Sequence, residues 1–245
     1  MTTSIKPLAA TLLTIAIYSM AMALLESAVV VYLRELYYPD GFQFPLKGMS
    51  LDLAFVEISR EFATLIMIAT IAILSADNWL KRFAYFLISF AIWDIFYYVF
   101  LYVFIQWPLS LAEWDILFLI PTVWTGPVIS PVILALLMIV LGLSILYYNR
   151  KWKAPLKRIH WLGLIAGSIF ALAAFMHDFV SFAVSHFGGI MNIPIDPDVW
   201  IHLYTPNRFP WLLFSISCAM ITASIVHYIR TQHISNRQII NSQFI

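Results

Sequence analysis

The chain has 245 residues, 62% of them hydrophobic and only 11% charged, with a mean hydropathy of +0.87. A soluble domain carries about a quarter charged residues, so these charges are too few to wet a globular surface of this length. A net charge of +1 leaves no basic stripe for nucleic acid, and the single cysteine, Cys218, excludes an internal disulfide framework. The solvent of this chain is the lipid bilayer.

A helix needs about 20 apolar residues to cross the hydrocarbon core. The first candidate, residues 8–33, follows Lys6 and is far longer than a signal-peptide core, so it reads as an uncleaved first helix. Residues 51–75 and 82–106 follow. The stretch 107–127 is too short in its apolar run, Ile116–Ile120, and is bracketed by Glu113, Asp115 and Pro121. Its tryptophans Trp107, Trp114 and Trp124 suit the headgroup level, and it is expected to be interfacial or re-entrant. Residues 128–148, 160–187 and 209–230 complete the set, and 231–245 reads as a polar cytoplasmic tail. The expected fold class is therefore an all-α integral membrane protein. Residues 1–245 form one polytopic domain, a six-transmembrane-helix bundle with the interfacial segment between helices 3 and 4.

The charges orient the bundle. Lys6, Lys81, Arg82, Arg150, Lys151, Lys153, Lys157, Arg158, Arg230 and Arg237 fall on the side of the two termini, against Arg34, Lys47 and Arg208 on the other. Positive charge marks the cytoplasmic side, so both termini are expected in the cytoplasm, in a bacterial cytoplasmic membrane. Of the thirteen acids, Asp77 alone falls in a cytoplasmic loop. The polar chemistry should therefore lie in the outer half of the bilayer.

Seven ionisable residues fall in the spans away from the membrane edges, where charge is costly and usually functional: Glu26, Glu57, Arg60, Glu61, Asp94, His177 and Asp178. At 1.5 Å per residue, Glu57 and Glu61 lie roughly 9 and 15 Å along helix 2 from its outer end. The spacing of Glu57, Arg60 and Glu61 stacks them on one helix face. Asp94 shares its face with Tyr97, Tyr98 and Tyr102, and His177 shares its own with Ser181 and Ser185. Each has a plainer reading as an ion-pair latch, an interfacial acid or a packed histidine. Their common depth favours a shared, cavity-lining site.

Five carboxylates against Arg60 leave an excess of negative charge that requires protons or cations. A carboxylate and imidazole mix suits Fe, Mn, Zn or Cu. One or two divalent metal ions are thus expected on Glu26, Glu57, Glu61, Asp94 and His177. Arg60 and Asp178 would act in the chemistry, which is metal-assisted oxidation or hydrolysis of a lipophilic substrate. Two other readings stand beside this one: an accessory subunit of a larger respiratory or oxidase-type membrane complex, and a proton-coupled transporter. Partners within such a complex, or further copies of the chain, are compatible with the composition. The pair His160 and His227, at matched depth near the cytoplasmic edge, is a weak candidate for haem. Gly163, Gly167 and Ala171 form a small-residue stripe for close helix packing.

Overall fold

The structure, a computed structural model, describes residues 8–150 and 154–242, with side chains as far as Ile234 in the last helix. Lys6, Lys151, Lys153 and the side chain of Arg237 lie outside the described residues. Among the described residues, six helices are long and apolar enough to cross a membrane, so the architecture is that of a polytopic helical membrane protein. They are α1 (Leu8–Tyr37), α2 (Leu51–Ser75), α3 (Trp79–Ile105), α4 (Ile129–Tyr148), α5 (Arg158–Phe187) and α6 (Trp211–Ser242).

Local chemistry sets the ends. The Ser50 side chain accepts from the Leu53 amide at 3.4 Å to start α2. Asn78 accepts from Leu80 and Lys81 amides at 2.8 and 3.4 Å to start α3. This cap draws α3 back to Trp79, so Lys81 and Arg82 lie in its first turn, ahead of the apolar stretch that marks it in the sequence. Helix α5 ends at Gly188, whose φ of 74° is the left-handed conformation that glycine adopts without a Cβ clash. Helix α6 does not stop where hydropathy drops near residue 230; no glycine or proline breaks it, and it continues to Ser242.

The helices pack as two groups. In the first, α3 lies against α1, α2 and α4; in the second, α5 lies along α6. Ser19 on α1 and Ser89 on α3 hydrogen-bond at 2.8 Å with both side chains fully buried. The stripe expected on α5 faces α6: the Ser217 hydroxyl donates to the Gly167 carbonyl at 2.7 Å, a contact that only close backbones allow. Contacts of α4 with α6 and of β2 with α5 join the groups, and Ile133 and Leu134 of α4 pack against the cluster that holds Ala171, Ala174 and Phe175 of α5.

The segment between α3 and α4 is a finding the sequence did not supply. It forms an antiparallel hairpin of β1 (Trp114–Phe118) and β2 (Trp124–Pro127), with Trp114 opposite Pro127 and Ile116 opposite Thr125, and a one-residue register shift before Phe118 meets Trp124. Strand β2 packs on α5, and Asp115, Thr125 and Val128 are buried. The segment is thus folded into the bundle rather than spread on its surface. Two strands cannot satisfy their outer edges alone, and the Leu119 amide beyond β1 is met by a carboxylate of α2. Short 3₁₀ turns at Ile190–Asn192, Pro197–Val199 and Ile201–Leu203 shape the α5–α6 connection beside the hairpin.

Gly142 on α4 tests the α3–α4 contact. A Cβ there would meet Ile88 Cγ1 at 2.7 Å and the Ala84 carbonyl at 2.9 Å. Gly142→Val should cost about 1–3 kcal/mol through overpacking, seen as a lower thermal midpoint in lipid nanodiscs. Leu143→Val, at an exposed neighbouring position, should leave the midpoint unchanged.

Candidate functional site

Arg60 organises the acids on α1 and α2. Its Nε and Nη2 donate to Glu57 Oε2 at 3.1 and 2.6 Å, and its Nη1 pairs with Glu26 Oε1 across the helix interface. Thr64 Oγ1 donates to the other Glu26 oxygen at 3.4 Å. Because α1 and α2 touch little elsewhere, this ion cluster is the main polar link between them. One turn along, both oxygens of Glu61 accept from the Leu119 amide, at 3.1 and 3.0 Å. That bond sets the tip of the hairpin roughly 15 Å along α2 from its first residue.

A second ion pair lies beside the first. Arg34 near the end of α1 donates from Nη2 to Asp115 Oδ1 of β1 at 3.2 Å, and both residues are more than nine-tenths buried. The guanidinium also lies over the rings of Trp107 at 3.7 Å and Phe42 at 4.3 Å. Among the described residues, Arg34 Nη1 and Asp115 Oδ2 have no partner within hydrogen-bond distance, although the Tyr98 hydroxyl lies near the Asp115 carboxyl. Burial pushes the Asp115 carboxyl up to about 6, against the pull of Arg34. Sequence reasoning missed both residues, because counting along the helices puts each in an interfacial region. The available signal was the WD pair at the head of an apolar run too short to span.

These groups line a cavity of about 520 Å³ bounded by α1, α2, α3, the hairpin and the α5–α6 connection. Of the residues expected at the site, Glu26, Glu57, Arg60, Glu61 and Asp94 line it together. The charged lining groups are five acids (with Asp115) to three bases, Arg34, Arg60 and Lys47. Asp94 sits on α3 among Trp93, Tyr97 and Tyr98, which line the same space, and none of the described residues hydrogen-bonds to it. The rest of the wall is largely apolar and aromatic, including Phe42, Leu46, Ile193, Trp200 and Tyr204. The apolar residues of the α5–α6 connection thus close one side of the cavity, as a lid would.

The structure does not bring His177 and Asp178 to this cavity. His177 is exposed on α5 and lines no part of it. Asp178 is a fastening: its Oδ2 accepts from the Tyr204 hydroxyl at 3.0 Å, and its Oδ1 from the amides of Asn207 and Arg208 at 3.2 and 3.1 Å. Since Tyr204 spends its proton on Asp178, Thr125 of β2 must donate to Tyr204 across their 2.7 Å contact. Hairpin, connection and α5 are tied in one chain of hydrogen bonds. Among the described residues, no three or more His, Cys, Asp or Glu side chains form a group able to hold a metal ion.

At the opposite end, His160 Nε2 and His227 Nδ1 are 3.0 Å apart and hydrogen-bond directly, which leaves no gap between them for a haem iron. His160 Nδ1 accepts from the Lys157 amide at 2.9 Å, so its proton is on Nε2 and points to His227. No protein-family model, no curated protein and no solved structure matches the chain.

Removing one partner of a buried ion pair leaves the other charge stranded, at a cost of about 3–5 kcal/mol. Arg34→Leu should lose stability on that scale in chemical unfolding from mixed micelles, and Arg34→Leu with Asp115→Leu should recover most of it. A pH dependence follows as well. Asp115 titrates near 6 in the folded protein against an ordinary 3.8, so between those values the folded state holds the proton more tightly than the unfolded chain. Stability should fall as pH rises from about 4 to about 6 and stay level above. Asp115→Asn should lack that fall.

Proposed function

We propose that this is a membrane-embedded binding protein for a lipophilic molecule with a positively charged end, taken from the extracytoplasmic half of the bilayer. The observation that carries this reading is that Glu61 and Asp94 line a mostly apolar cavity of ligand size and form no ion pair among the described residues. Arg60 is occupied by Glu26 and Glu57, and Arg34 by Asp115. The lining keeps an excess of acid, which a bound cation balances.

An ammonium group suits this wall. Asp94 and Glu61 supply the charge, the faces of Trp93, Tyr97 and Tyr98 supply cation–π attraction, and the apolar remainder takes a hydrocarbon tail. Arg60 serves as a positioning residue, holding the carboxylates of Glu26 and Glu57 in place. A divalent metal is the rival occupant that would balance the charges of Glu61 and Asp94, the acids that Arg60 does not occupy.

The test uses purified protein in nanodiscs with dodecylamine and its uncharged counterpart dodecanol. The amine should raise the thermal midpoint and the alcohol should not. Glu61→Gln and Asp94→Asn should each weaken amine binding about tenfold or more, the scale of a hydrogen bond to a charged group. Equal shifts from amine and alcohol would overturn the reading. Stoichiometric Fe, Mn, Zn or Cu in the wild type, lost in Glu61→Gln, would replace it with the metal reading.

A further inference from the structure

A second cavity, of about 290 Å³, lies between α3, α4 and α5 under the hairpin. It adjoins the charged cavity. Trp93 and Asp94 of α3 and Leu117 and Phe118 of β1 line both spaces, so the boundary between them is a layer of side chains that each reach both. Asp94 is the one charged residue on the second wall, which is otherwise largely apolar.

Asp94 thus stands at a junction of two spaces. It is half-buried, and neither of its oxygens is hydrogen-bonded among the described residues or sealed off from the space around it. A carboxylate at this depth needs a proton or a cation, and a cation resting on it has apolar room on two sides. An ammonium at the end of a single chain uses one of those sides. A secondary ammonium has two N–H donors and two diverging carbon bonds, so it can donate to the carboxylate and send one hydrocarbon arm into each space. Filling both is favoured, because an apolar void costs free energy in a close-packed interior.

Resting on the reading of the first cavity as a cation site, we propose that its ligand is an internal amine: a lipophilic secondary amine whose nitrogen is held at Asp94 and whose two arms occupy one cavity each. The second cavity is then the subsite that selects for the second arm.

The experiment titrates dodecanol, N-methyldodecylamine and N-hexyldodecylamine into protein in nanodiscs, at matched content in the bilayer. The two amines share their charge and long arm and differ in the arm meant for the second cavity. N-hexyldodecylamine should bind about tenfold or more tightly than N-methyldodecylamine, the scale of filling a void of this kind. Ala171 and Leu134 line the second cavity and not the first. Ala171→Leu and Leu134→Phe each fill part of it and should bring the two amines to equal affinity while both still bind. The bilayer is the same for every variant, so such a loss of preference cannot come from partitioning into lipid. Equal affinity of the two amines in the wild type, or a preference that survives in both variants, would overturn the proposal while a response to the amines beyond that to dodecanol keeps the cation site. Amines that raise the thermal midpoint no more than dodecanol does would overturn both.

Discussion

The Arg34–Asp115 pair decides where the hairpin goes. In a lipid-facing bundle neither charge can be buried alone, and each is the other's ion partner among the described residues. Pulling Asp115 in beneath the end of α1 brings β1 with it, and Leu119 then reaches Glu61 on α2. The hairpin consequently forms a wall shared by two cavities: its residues Leu117 and Phe118 line both. Without that ion pair the segment would lose the charged bond that holds β1 to α1.

The remaining polar bonds work outward from that wall. Thr125 of β2 connects through Tyr204 to Asp178, and Asp178 gathers the amides at 207 and 208. Arg60 closes the far side by holding Glu26 to Glu57. Charged bonds therefore define the rim of the first cavity, whereas the second is enclosed by packing alone.

Much of this was legible in the sequence, for identifiable reasons. Hydropathy located six spans because lipid enforces length directly, and helical spacing stacked Glu57, Arg60 and Glu61 correctly on one face. Depth put Glu26 and Asp94 at their level. Depth alone also drew in His177 and Asp178, and it failed there because it carries no information on rotation about the helix axis. His177 turns outward, and Asp178 turns toward its own following loop. The hairpin was hidden for a different reason. Residues 107–127 have neither helical nor alternating periodicity of useful length, and what folds them inward is a partner on α1, 81 positions away from Asp115. No local pattern encodes a contact of that range.

That separation also bears on how the chain is made. Arg34 leaves the ribosome 81 residues before the aspartate that will neutralise it, an interval of about 4–16 s at a synthesis rate of roughly 5–20 residues per second. During that time three apolar helices are already available to enter the membrane. Until β1 arrives, the last turn of α1 lacks the carboxylate that neutralises Arg34, and burying it in lipid would strand that charge. The buried contact that fixes the end of α1 therefore cannot form until the hairpin has been made.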